Sequence, residues 1–258
     1  MADLLELGEA PHEAEYADLF VFQLYPYASV YLGSEGMLGG EARDRIAGFW
    51  RALRLNPPNE PDHLAVLLSF YAGLCEAERA AAPAEAEAWR RARKAFLWEH
   101  LWSWLEIYLT RVREVASPFY RRWAETLRGA LAEETGWPGP PRLPLHLREA
   151  TPVSDPRRQG LKPFLQSLLS PVRSGMILVR QDLVRAGRAL ELGVRVGERR
   201  FALEFLLAQD ARGMLAWLAA EAARQAAGSG GDDPVSRFWR ERARGTARLL
   251  QELAGEAE

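Results

Sequence analysis

Helical periodicity dominates this chain, and it is clearest over residues 83–115. There KAFLWEHLWSWLEIYL places Phe96, His100, Trp104 and Ile107 on one helical face, with Leu97, Leu101, Trp104 and Tyr108 on the neighbouring one. The pattern predicts one long helix from about Pro83 to Val115, in which Trp98 and Trp102 point elsewhere. Tyr16, Leu19, Phe20, Leu24 and Tyr27 keep nearly the same period, with Pro26 set to interrupt their helix. An amphipathic helix is expected at 42–53, and further helices at 117–136 (Ser117 as N-cap, Pro118 in first position, Gly136 as stop) and from Pro61 to about Arg79. The second half predicts helices at 161–169, 179–193, 197–209, 210–228 (Asp210 as N-cap, Gly228 as stop) and 235–253. SGMILV and VRV are short enough to be strands, and periodicity does not separate the two readings. The expected fold class is all-α, a multi-helix bundle.

Proline density then divides the chain. WPGPPRLPLHLREATPVSDPRRQGLKP reads as a connector over 137–163, between a helical region at 1–136 and a C-terminal helical lobe at 164–258. GSGGDDP (228–234) reads as a hinge before the last helix. Connector and hinge would both permit domain swapping into a homodimer.

Of 258 residues, 48% are apolar and 26% charged, the balance of a soluble globular protein. The net charge of -2 exerts no global pull toward nucleic acid or an anionic membrane. A single cysteine, Cys75, excludes a disulfide framework and suits a reducing cytoplasm. No Lys or Arg precedes Arg43, so the basic start of a secretory leader is missing, and no apolar run reaches the ~20 residues that span a bilayer. A cytoplasmic location without membrane insertion is expected. No two of the four histidines share H-x-x-x-H spacing, so no metal is expected. The glycine loop at 33–40 lacks the Gly-Lys-Ser/Thr of a P-loop, and no nucleotide or other cofactor is expected.

The candidate chemistry lies in Glu60-Pro61-Asp62-His63, at the mouth of an apolar helix. From Leu64 to Cys75 only Ser69 and Tyr71 carry hydroxyls, which predicts a helix buried on every face with its charged N-terminus at the rim of a crevice. The plainer alternative is that Asp62 caps the helix and His63 is a satisfied rim residue. Cys75 stands about 18 Å along the helix from His63, too far for a nucleophilic pair. The aromatics of 94–109 are either core or the lining of a peptide groove, and His63 would meet His100 only if their helices pack antiparallel.

Charge is unevenly placed. Asp3, Glu6, Glu9, Glu13, Glu15, Asp18, Glu35 and Glu41 stand unopposed before Arg43, as a solvated face or as a lure for a basic peptide. Arg157, Arg158, Lys162, Arg173, Arg180, Arg185, Arg188, Arg195, Arg199 and Arg200 follow in the second half. With DLVRAGRALELGVRVGERRFALEFLL they suggest an alternative function, a DNA-binding regulator using a helix-turn-helix-like segment at 179–208. An enzyme using Asp62 and His63 lacks a supporting constellation.

Four motifs together resemble a known family. YPYASVYLGSEGML (25–38), EPDHLAVLLSFYAGL (60–74), FLWEHLWSWL (96–105) and ASPFYRRWAETL (116–127) stand in the order seen in the TorD/DmsD/NarJ family of all-helical cytoplasmic chaperones. The resemblance covers roughly residues 16–135. It implies a non-enzymatic partner of a molybdopterin oxidoreductase. Such a chaperone binds the twin-arginine leader or the apo form of the catalytic subunit and holds back export or assembly until the cofactor is inserted. It further implies client binding by Glu60, Pro61, Asp62 and His63, by Tyr27, Ser29 and Tyr31, and by Phe96, His100 and Trp104. Two departures from the family pattern are Pro61 abutting Asp62 and Ala28 where an acid is common.

Overall fold

The computed structural model describes residues 9–34, 36–135, 142–228 and 230–257. Among them all regular structure is helical, in keeping with the expected all-α class. Gly136, Ser229, part of the proline-rich connector and the acids Asp3, Glu6 and Glu35 lie outside the described residues.

The first helix starts as α1 (Glu13–Tyr16) and continues as a π-helical stretch, Ala17–Gln23. It stops at Gln23, three residues before the Pro26 expected to interrupt it, and α2 (Ala28–Leu32) follows. Then come α3 (Gly40–Ala52), α4 (Leu64–Ala80) and α5 (Pro83–Phe96). The long helix expected at 83–115 is continuous but not uniform. A π-helical stretch, Leu97–Trp102, joins α5 to α6 (Ser103–Val115). Within it the backbone register shifts, and side chains return to its carbonyls. Ser103 Oγ donates to Glu99 O at 2.9 Å and Trp104 Nε1 to His100 O at 3.0 Å. α7 is Pro118–Thr135. Ser117 does not cap it with its side chain, because the Ser117 hydroxyl is buried without a partner and only its carbonyl receives Arg121 N–H.

The connector is packed rather than bare. It carries α8 (Leu145–Glu149) and α9 (Pro156–Gln159), and Leu147 is buried in the core. Trp98 and Trp102 explain how the loops are held. Trp98 Nε1 donates to Arg142 O at 3.0 Å, Glu99 Oε2 accepts from Leu145 N–H at 2.8 Å, and Trp102 Nε1 donates to Asp233 Oδ1 at 3.2 Å. Asp233 in turn caps the last helix through the Val235 and Ser236 amides.

The second half holds α10 (Leu161–Leu169), α11 (Pro171–Ser174), α12 (Arg180–Ala189), α13 (Arg199–Gln209), α14 (Ala211–Gly228) and α15 (Pro234–Glu256). Asp210 caps α14 as its sequence position predicts, with Oδ1 accepting Gly213 N–H at 2.8 Å. SGMILV is no strand: Ser174 ends α11, Gly175 turns left-handed, and residues 176–179 run on outside regular structure. Instead the Gln225 side chain completes it: Ile177 N–H donates to Gln225 Oε1 at 2.9 Å and Gln225 Nε2 to Ile177 O at 3.2 Å. Its alternation serves two cores. Ile177 and Val179 enter the core built from the N-terminal helices, whereas Met176 and Leu178 enter that built from α10, α12, α13, α14 and α15. α15 bridges both, with Val235 and Trp239 in the first and Leu250 and Leu253 in the second. Between the cores lies a buried ion pair, Arg111 on α6 with both carboxylate oxygens of Asp182 on α12.

The helix-turn-helix reading of 179–208 meets a different surface. Arg185 is bonded to Asp182 at 2.7 Å and Glu221 at 3.2 Å, and Arg199 Nη1 donates to Leu178 O at 2.6 Å. α13 exposes two large apolar side chains, Phe201 and Phe205, which suit a duplex groove poorly.

Candidate functional site

The motif residues meet through an isolated antiparallel bridge between Tyr27 and His63. Ala28 N–H donates to Asp62 O at 3.0 Å and Leu64 N–H to Pro26 O at 2.8 Å. This pairing holds residues 61–63 out of helical conformation, so α4 starts at Leu64 and not at Pro61. His63 is its N-cap: Nδ1 accepts Ala65 N–H at 3.2 Å. The Asp62 carboxylate serves another helix. It is 2% exposed, and Oδ2 accepts Ser29 N–H at the start of α2 at 3.3 Å. The plain expectation of a local Asp62 cap is therefore corrected, because the bridge turns that carboxylate toward α2.

The other motif residues extend inward from this junction. Ser29 Oγ accepts Gly39 N–H at 3.0 Å, and Tyr31 OH donates to Tyr25 O at 2.9 Å. The Tyr31 ring stacks on Trp104 with centroids 5.2 Å apart and an 11° interplanar angle. Phe96 and His100 pack against Phe49. Ser29, Tyr31, Phe96, His100 and Trp104 are all buried, so the aromatic stretch of the long helix is core and lines no groove. His63 and His100 have different surroundings: His63 sits edge-on to Tyr27 at 4.8 Å, whereas His100 faces Phe49, Phe96 and His146. Burial, reinforced by His146, holds the His100 imidazole down at about 3, so it is neutral near pH 7.

α4 is not buried on every face as expected. Leu64, Leu67, Phe70, Tyr71 and Leu74 are buried, but Ala65, Ser69, Ala72 and Gly73 face outward. At its N-terminal end an open apolar crevice of about 340 Å3 is lined by Tyr16, Phe20, His63, Leu68, Tyr120 and Trp123, among others. His63 stands at this crevice, and Glu60 is exposed three residues earlier. Burial and then the Glu60 carboxylate raise the pKa of Tyr27, which places Glu60 beside that ring. Of the acids before Arg43, Glu13 and Asp18 are exposed on the helix that supplies Tyr16 and Phe20.

Sequence reasoning missed Tyr16, Phe20, Leu68, Tyr120 and Trp123 as lining residues. The signal for two of them was in the fourth motif, which contains Tyr120 and Trp123 in ASPFYRRWAETL. Among the described residues no group of three or more His, Cys, Asp or Glu is placed to hold a metal ion, and no helix is long and apolar enough to cross a membrane.

Fold and site thus define an all-helical body with an apolar crevice beside an exposed acid and a ring nitrogen. Residues 2–108 match the family model described as nitrate reductase delta subunit. The chain is 30% identical over 150 residues to the chaperone protein TorD of Shewanella pealeana, covering 52% of this chain and 61% of that protein. It is 33% identical over 115 residues to the chaperone protein TorD of Vibrio vulnificus strain YJ016, covering 39% of this chain and 51% of that protein. The chain therefore spans between 51% and 61% of the length of these curated relatives. No solved structure gives a significant match. By these matches the N-terminal region is similar to nitrate reductase delta subunits and to TorD chaperones.

Proposed function

We propose that the protein is a cytoplasmic, non-enzymatic maturation chaperone that binds the leader or apo form of a molybdopterin oxidoreductase subunit and assists its cofactor insertion and export. The observation that carries this reading is the apolar crevice with His63 at its edge and the exposed Glu60 next to it. A leader with arginines ahead of an apolar stretch has matching chemistry. Its guanidinium groups suit the Glu60 carboxylate, and its apolar side chains suit Phe20, Leu68, Tyr120 and Trp123. Asp62, Ser29, Tyr31, Phe96, His100 and Trp104 then act from behind, by holding α2 and α4 in place. The relatives named above, described as chaperones, support the class.

The test is affinity capture of the tagged protein from its own lysate, with Glu60→Gln and Leu68→Asp variants alongside. Recovery of one molybdoenzyme precursor, lost when its leader is deleted and reduced in both variants at unchanged helicity, supports the reading. Equal recovery by folded Leu68→Asp would remove the crevice from it.

A further inference from the structure

A second cavity, of about 500 Å3, lies between the glycine-rich loop, α8 and α11, and shares no lining residue with the crevice at His63. Several of its lining groups are hydrogen-bond donors without acceptors. The first turn of α3 opens onto it through Gly40, Glu41 and Ala42, and the N-cap, Gly39, has no side chain with which to cap them. Gly39 and Gly40 turn the loop with φ of 87° and 70°, and a Cβ at either position would meet nothing within 4 Å, so the space beside this backbone is open.

Arg173 lines the same cavity. Its Nη2 donates to Pro152 O at 3.1 Å and Ser154 Oγ at 3.0 Å, while its Nε is buried with no partner. No ion pair joins it to a carboxylate among the described residues. The neighbouring cation Arg242 is held the same way, by Ala150 O at 2.8 Å. Burial lowers the pKa of both guanidinium groups, and Arg173 adds to the effect on Arg242, as for two cations with no acid between them. His146, 8% exposed, also lines the cavity, and its Nε2 is buried without a partner. The two carboxylates at the edge, Glu41 and Glu149, are both bonded to Arg45, whose Nη1 is itself buried and unpartnered.

Buried polar groups left without partners destabilise a fold, and here an uncapped helix start, an arginine and a histidine converge on one space. We propose that this cavity binds an oxyanion, a phosphate or carboxylate group, held by Arg173 and the α3 amides with His146 as a further donor. A positive helix end and a fork of guanidinium donors are both suited to oxyanion geometry. Met37 and Leu38, exposed at the cavity, would cover the apolar remainder of a molecule that carries the group.

The experiment is a titration of the 15N-labelled full chain with sodium phosphate and, separately, sodium acetate, at constant ionic strength. The amide resonances of Gly40, Glu41 and Ala42 report on the site. Saturable shifts are expected with at least one anion, and which one saturates tells phosphate from carboxylate. Arg173→Gln should weaken binding about tenfold or more, the loss of roughly one charge-assisted bond. Arg195→Gln, in an exposed loop, should leave it unchanged. If Arg173→Gln loses helicity, Arg173→Lys keeps a charge without the fork and is expected to bind several-fold more weakly. Non-saturating shifts with both anions, or full affinity in a folded Arg173 variant, would overturn the assignment.

Discussion

Asp62 Oδ2 accepts the amide proton of Ser29 at 3.3 Å, across 33 positions of sequence, and thereby welds two sequence motifs into one structural unit. The same residue's carbonyl takes the Ala28 amide, so both early donors of α2 are satisfied by one remote side chain and its backbone. Any effect of changing Asp62 on the proposed client binding would thus travel through the fold.

That arrangement separates two kinds of variant. Asp62→Ala should cost about 1–2 kcal/mol of stability, as the loss of a buried cap does, with Asp62→Asn nearer neutral. His63→Asn keeps a capping oxygen for Ala65 N–H but removes the ring from the crevice. Urea unfolding should find His63→Asn close to the parent, and client affinity should fall in it. A folded His63→Asn with full affinity would assign His63 to capping alone.

Stability should fall on acidification through the histidines. Burial holds His146 down at about 4 and His100 at about 3, both below the ordinary value near 6.5. Below 6.5 the unfolded chain binds protons that the folded chain refuses, so the contribution is complete above pH 6.5 and declines as pH falls toward 4 and then 3. Each histidine adds a slope of up to about 1.4 kcal/mol per pH unit in that window. Chemical unfolding between pH 7 and pH 5 measures it, and His100→Phe should flatten the curve.

Gln225→Leu should be among the more damaging single changes in the C-terminal half. It strands both Ile177 N–H and Ile177 O in the interior, at about 2–4 kcal/mol for the pair. Hydrogen exchange at the Ile177 amide should accelerate selectively. An unaltered exchange rate would show that another group replaces the amide.

Much of the helical plan was readable because it is local. Spacing of three and four residues marks a helix face, and a side chain such as Asp210 caps within its own turn, so both leave their trace in neighbouring positions. What lies against a face leaves no such trace. α4 looked buried all round, yet Ala65, Ser69, Ala72 and Gly73 are exposed. The aromatics Phe96 and Trp104 suited core by default and a groove as the alternative, and the rings of Phe49 and Tyr31 packed on them decide for the core.

The sequence by itself determined the helical segments, the order of four motifs and the family those motifs resemble. The tertiary structure alone decided which motif residues remain available to a partner. Asp62, Ser29 and Trp104 are consumed by groups far away in the chain, whereas His63 and Glu60 are left at the surface. The reason is that availability depends on which remote donor, acceptor or ring comes to occupy a side chain, and packing settles that only once the chain has folded.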